Sequence, residues 1–125
     1  MISLKLNKNL IDDFNDNGFL ILDKFLDLKY IDILRKKFEP LFKGSFETGI
    51  EPDEWNWKFG IDPEDVTRQI CNGWKADNLI REFVCHEVIG KCCSHLMNWN
   101  GARLIQDNVL WKPPGGKTLG YHQDA

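Results

Sequence analysis

The sequence has no excess of positive charge, and this absence limits the partners that the protein can have. Sixteen lysine and arginine residues stand against nineteen aspartate and glutamate residues, which gives a net charge of -3 at pH 7. A nucleic-acid-binding surface needs a basic patch or stripe, and attraction to anionic lipids needs clustered lysines and arginines. The composition therefore indicates neither a nucleic-acid partner nor a membrane partner.

Long hydrophobic runs are also lacking. No segment approaches the roughly 18 consecutive apolar residues of a membrane-spanning helix, and residues 1–5 lead into polar sequence without the apolar core of a signal peptide. With 42% hydrophobic and 12% aromatic residues among 125 positions, the composition is that of one small globular domain with a buried core. We expect a cytoplasmic protein.

Cysteine is present but not dense. In a reducing compartment we expect all four cysteines to be free thiols, and mostly buried ones. A zinc site is the alternative, but structural zinc sites pair their ligands at spacings of two to four residues in both halves, and that pattern is absent. The cysteines are Cys71, Cys85, Cys92 and Cys93, and the ligands of the zinc alternative would be Cys85, His86, Cys92, Cys93 and His95.

The first half of the chain predicts two helices around a short strand. Apolar residues at helical spacing predict a helix over 8–17, which ends at Gly18. The apolar run 19–22 predicts a short buried strand. Asp27 is suited to cap a second helix that extends through Phe42.

Glycines and prolines recur through residues 44–63, which predicts a loop. Trp55 and Trp57 lie in this loop, where they either anchor it to the core or line a ligand cleft.

The second half predicts a strand or extended segment over 64–75 and a helical region that starts at Asp77 or Asn78, with a break at Gly90. Residues 102–112 predict a strand with polar side chains on both faces, which suits a barrel with a polar interior better than a plain sandwich. Residues 113–116 break that strand, and an extended pattern resumes over 118–124.

That last segment contains the motif with the most chemical content. In a strand, His122 and Asp124 project to the same face, about 6–7 Å apart along the chain. An imidazole and a carboxylate on one face are two of the three ligands of the facial triad of non-haem Fe(II) oxygenases. The tripeptide alone is a weak signal, because a surface His-x-Asp without a metal is common.

Its context is more specific. A strand ending in Lys-x-Pro, a glycine loop and an aromatic-His-Gln-Asp segment follow one another, and the sequence resembles the phytanoyl-CoA dioxygenase family of Fe(II)- and 2-oxoglutarate-dependent oxygenases. The segments that resemble the family are 14–22 (FNDNGFLIL), 25–27 (FLD), 106–115 (QDNVLWKPPG) and 119–125 (LGYHQDA).

The resemblance implies Fe(II) held by His122 and Asp124, 2-oxoglutarate as co-substrate, and ascorbate as a further candidate cofactor. It implies that Asn108 contacts 2-oxoglutarate, that Arg68 or Gln69 is a second co-substrate contact, and that Gln106 contacts the substrate or co-substrate. The carboxylate at Asp124 favours hydroxylation, since relatives that halogenate have a small residue there. Substrates are then small molecules, with O₂ consumed.

The implied fold is α+β, with N-terminal helices packed on the first strands of a double-stranded β-helix of the jelly-roll type. The family pattern also requires a second histidine ligand and an arginine for the far carboxylate of 2-oxoglutarate, and neither His86 nor His95 matches. We therefore expect residues 1–125 to be the N-terminal part of one domain, a fragment that is inactive alone. The rival hypothesis is a non-catalytic helical interaction module, with Trp55 and Trp57 as partner anchors.

Overall fold

Helices and a small sheet make up the fold of the computed structural model, which describes residues 6–116 and 120–123. The helices are α1 (Lys8–Asn17), α2 (Leu28–Phe42), α3 (Asn78–Val84) and α4 (Glu87–Leu96), with a 3₁₀ helix over Gly73–Lys75. The strands are β1 (Glu54–Trp55), β2 (Arg68–Cys71) and β3 (Asn108–Trp111). This confirms the α+β class, whereas the jelly-roll core stays a prediction.

Side-chain caps fix where the α-helices begin. The Asn7 side chain accepts a hydrogen bond from the backbone of Leu10 at 3.0 Å, and α1 ends at Gly18 in the left-handed conformation. Asp27 accepts from the backbone of Lys29 at 2.8 Å and starts α2. Both helices therefore have their predicted bounds. Asp77 caps α3, which confirms that the second helical region starts there.

The sheet is antiparallel, with β2 in the centre between β1 and β3. Ile70 lies opposite Val109, and both side chains are buried. Because side chains alternate along a strand, Gln69, which directly precedes Ile70, lies on the other face of the sheet. The strands are shorter than predicted: β2 is confined to Arg68–Cys71 within the predicted 64–75, and β3 to Asn108–Trp111 within the predicted 102–112.

The core lies between one face of the sheet, α2 and α3. Its buried members are Leu41, Phe42, Trp57, Ile70, Ala76, Ile80 and Val109. Trp57 is 2% exposed and donates its indole N–H to the Pro63 carbonyl at 3.0 Å. Trp55 packs against the core and donates to the Phe42 carbonyl at 3.2 Å. Both indoles therefore anchor the loop to the core.

Two predictions about local structure are wrong. Residues 19–22 form no strand, and Phe19 and Ile21 are 62% and 76% exposed, because no described strand lies beside them to hydrogen-bond with. The break in the second helical region falls at Cys85 and His86, not at Gly90. His86 Nδ1 accepts from the Val88 backbone at 3.2 Å and caps α4, while Gly90 lies inside that helix.

The cysteines are free thiols, but only Cys71 is fully buried, so the prediction that most are buried is wrong. Cys85, which follows the last residue of α3, and Cys93, within α4, are both exposed. Among the residues that the structure describes, no helix is both long and apolar enough to cross a membrane.

Candidate functional site

Three of the predicted site residues meet on the outer face of the sheet. Gln69 Nε2 donates to Asn108 Oδ1 at 3.0 Å, across the boundary between β2 and β3. Gln106 Nε2 lies 3.5 Å from the same oxygen, at the limit of a hydrogen bond. We call Gln69, Gln106 and Asn108 the amide cluster. Side-chain alternation brings Gln69 and Asn108 to one face, and the register of β2 with β3 places them diagonally opposite.

The bonds within the amide cluster determine what Asn108 offers to a ligand. An amide oxygen accepts about two hydrogen bonds, and the two glutamines supply both. The Asn108 N–H donors then have no acceptor in the described part of the chain, and the side chain is exposed. This arrangement is suited to donate hydrogen bonds to a carboxylate or keto oxygen.

Arg68 lies on the opposite, buried face of the sheet. Its guanidinium carbon is 3.7 Å from the centroid of the Trp57 ring and 5.2 Å from that of Trp111. One terminal nitrogen donates to the Glu64 carbonyl at 3.3 Å and pairs with the Glu64 carboxylate. Of the two alternatives for a second co-substrate contact, Gln69 therefore lies in the amide cluster, and Arg68 lies among core aromatics.

The predicted metal ligand His122 lies in a segment without regular secondary structure, and its side chain is exposed. Its Nδ1 lies 3.2 Å from the Gly120 carbonyl oxygen. A proton on Nδ1 that bonds this carbonyl puts the lone pair on Nε2, which is one of the two ring nitrogens through which a histidine can bind a metal. An imidazole and a carboxylate are a suitable donor set for Fe(II), but the second predicted ligand, Asp124, lies outside the described residues. Residues 6–116 and 120–123 contain no cluster of three metal-binding side chains.

Asp107 and Asn72 join the turn after β2 to the start of β3, next to the amide cluster, and sequence analysis missed both residues. The Asn72 backbone N–H donates to the Asp107 carbonyl at 2.8 Å, and Asp107 Oδ1 accepts from the Trp74 backbone N–H at 3.1 Å. These bonds fix the turn after β2 against the residue that precedes Asn108. Burial raises the pKa of Asp107, while the backbone N–H groups of Trp74 and Gly73 oppose that increase. Only the Asn-Gly pair at 72–73, a common turn signal, hinted at this junction.

A groove of about 710 Å³ lies beside the amide cluster. It runs between α4 and residues 100–106, and Gln106 is one of the residues that line it. Its walls combine apolar side chains such as Ile89 and Leu104 with polar ones such as Arg103. Such a mixed, open groove has the volume of a small-molecule site.

The sequence is similar to that of an oxygenase. The chain is 29% identical over 118 residues to a 2-aminoethylphosphonate dioxygenase from Uncultured bacterium HF130_AEPn_1. The match covers 90% of this chain, and the chain spans 42% of the length of that relative. No protein-family profile matches the chain, and no solved structure is significantly similar to it.

Proposed function

We propose that this chain supplies part of the active site of an Fe(II)- and 2-oxoglutarate-dependent dioxygenase that hydroxylates a C–H bond of a small molecule, in the manner of the phytanoyl-CoA dioxygenase family. The observation that carries the proposal is the amide cluster, which orients the Asn108 donors outward at the position where the family contacts 2-oxoglutarate. The similarity to a dioxygenase over 90% of the chain supports the same class of enzyme.

In this proposal His122 and Asp124 hold the metal. When bound, Fe(II) and 2-oxoglutarate supply the activation of O₂, and the oxidation of the co-substrate to succinate and CO₂ accompanies hydroxylation. Asn108 donates to a carboxylate or keto oxygen of 2-oxoglutarate. Gln69 and Gln106 act through Asn108 as positioning residues, because each donates to its amide oxygen.

The groove between α4 and residues 100–106 is the proposed substrate side of the site, because it adjoins the amide cluster at Gln106. 2-Aminoethylphosphonate is the first compound to test there, since the similar protein is a 2-aminoethylphosphonate dioxygenase. The rival interaction module has less support, because the indoles proposed as its anchors pack in or against the core.

Metal binding is tested with Mn²⁺, a paramagnetic and redox-inert substitute for Fe(II), added to ¹⁵N-labelled protein. We expect selective broadening of the amide signals around His122 and Asp124. His122→Ala should abolish that broadening, and the matched control His95→Ala, which changes an exposed histidine of α4, should preserve it. Broadening that is absent, or that is equal in both variants, would contradict the metal site.

The co-substrate contact is tested by titrating the Mn²⁺-loaded protein with 2-oxoglutarate. We expect 2-oxoglutarate to shift the signals of Asn108 and Gln69. Asn108→Ala should weaken binding about tenfold, the effect of losing roughly 1.4 kcal/mol of charge-assisted hydrogen bonding. Asn56→Ala, at an exposed loop position, is the control that should leave the affinity unchanged. Equal affinities of the two variants would refute the role of Asn108.

A further inference from the structure

The chain contains three Asn-Gly pairs, at 17–18, 72–73 and 100–101, and they differ in burial and in hydrogen bonding. We propose that Asn100 is a site of spontaneous deamidation in the folded protein, where asparagine is converted to aspartate and isoaspartate, while Asn17 and Asn72 are protected. This inference is independent of the proposed dioxygenase function.

The reaction needs only water and an accessible backbone. The Gly101 backbone nitrogen attacks Cγ of Asn100, and the new N–Cγ bond closes a succinimide ring. The nitrogen loses its proton to a solvent base, the bond from Cγ to the side-chain nitrogen breaks, and ammonia leaves. Water then adds to one of the two ring carbonyls, and the bond from that carbonyl carbon to the ring nitrogen breaks, which gives aspartate or isoaspartate. Glycine at the second position favours closure because it has no Cβ to obstruct the approach.

The pair Asn100–Gly101 meets these requirements. Both residues are exposed and lie outside regular secondary structure, between α4 and β3. Apart from the two neighbouring residues, no atom lies within 4 Å of a Cβ placed on Gly101, so the surroundings of this glycine are open. Within the described residues, neither residue makes a hydrogen bond or an ion pair that would hold the backbone or the side-chain amide in place.

Asn72 is held by bonds on every side. Its Nδ2 donates to Asp53 at 2.6 Å, its Oδ1 accepts from the Trp74 indole at 3.1 Å, and its backbone N–H donates to Asp107. Gly73 is buried, and a Cβ there would lie 3.0 Å from Val109. Ring closure at this pair therefore requires local unfolding of the turn after β2.

Asn17 is exposed, but both reacting groups are occupied. The Gly18 backbone N–H donates to the Phe14 carbonyl at 2.8 Å, and this bond keeps the proton on the Gly18 nitrogen. The Asn17 Nδ2 donates to the Asp13 carbonyl at 2.9 Å. Closure at this pair first requires the end of α1 to fray, which costs less than opening the turn at Asn72.

Deamidation at Asn100 would alter the groove. Asn100, Gly101 and Arg103 all line it, so the reaction adds a negative charge to a wall that contains a cation. In the isoaspartate product, the main chain passes through the former side chain and gains one carbon atom. The segment that joins α4 to the amide cluster is then longer.

The test is peptide mapping by mass spectrometry after the folded chain has been incubated in mildly alkaline buffer at physiological temperature. We expect the peptide that contains Asn100 to gain the mass of exchanging NH₂ for OH at least about tenfold faster than that of Asn72. A local opening free energy of roughly 1.4 kcal/mol already gives that factor. Asn17 should fall between the two.

Two controls separate the effect of the folded structure from that of the Asn-Gly dipeptide itself. In concentrated urea the three pairs should react at similar rates, because the same dipeptide is then free of structure. Gly101→Ala, for which the structure has room, should slow the reaction at Asn100 without changing that at Asn17. Equal rates at Asn100 and Asn72 in the folded protein, or the same spread of rates in urea, would overturn the proposal.

Discussion

Substitutions of Arg68 test whether the buried face of the sheet serves stability while the outer face serves co-substrate binding. Arg68 is 8% exposed, and its guanidinium carbon lies 3.7 Å from the centroid of the Trp57 ring. Truncation to alanine removes the packed stem from the core, which costs about 2–5 kcal/mol for long side chains. It also removes cation–π contacts of about 0.5–2 kcal/mol and a pair with the mostly exposed Glu64 that contributes at most about 1 kcal/mol.

One term acts in the other direction. Arg68 Nε is buried without a hydrogen-bond partner, and an unsatisfied buried donor costs about 1–3 kcal/mol. Arg68→Met keeps the packed stem and removes that donor, so its losses and gain nearly cancel. We expect Arg68→Ala to lower the free energy of unfolding by about 3 kcal/mol and Arg68→Met to change it by no more than about 1 kcal/mol.

Urea denaturation, followed by tryptophan fluorescence, measures both variants. The affinity of Mn²⁺-loaded protein for 2-oxoglutarate provides the second measurement, and we expect Arg68→Met to retain it. If Arg68→Met destabilises the protein as much as Arg68→Ala, the charge rather than the packed stem holds this face together. If it keeps its stability and loses co-substrate binding, Arg68 is a ligand contact and the division between the faces is refuted.

Three further predictions concern the frame around the site. Asp77→Ala should lower the free energy of unfolding by about 1–2 kcal/mol because α3 loses its cap, whereas Asp77→Asn keeps the cap, loses the 3.3 Å pair with Lys37 and should cost less than about 1 kcal/mol in urea denaturation. Gly44→Ala should cost about 1–3 kcal/mol by the same assay, because φ is +82° and the new Cβ would lie 2.5 Å from Trp55; an unchanged midpoint would contradict that geometry. The raised pKa of Asp107 means that the folded state binds the proton more tightly, so stability should fall as pH rises from the ordinary value of 3.8 through the folded pKa; a pH series should show that Asp107→Asn lacks this fall.

The helices could be predicted because their signals are local. Asp27 and Gly18 act within a few residues of where they lie, and the apolar spacing of α1 and α2 follows from the helix itself. The strand predicted at 19–22 failed for the opposite reason, since an apolar run forms a strand only where a neighbouring strand accepts its hydrogen bonds. His86 shows a different limit, because a histidine ring that caps a helix is not a usual start signal.

The sequence indicated which residues belong to the candidate site but not how they contact one another. Alternation along the chain placed Gln106 and Asn108 on one face. The bond from Gln69 depends on the register of β2 with β3, two strands separated by more than thirty residues. Asn72 and Asp107 help to set that register through bonds across a similar separation, which no local pattern reports.

The position of α1 has a consequence for hydrogen exchange. α1 buries none of its residues fully and packs against α4, whereas β2 is hydrogen-bonded on both sides and packs on the core. Amide protons of α1 should therefore exchange with solvent through an opening that leaves the sheet intact, and those of β2 only when most of the chain unfolds. On this basis the helix at the start of the chain can detach and return many times within the lifetime of one folded sheet.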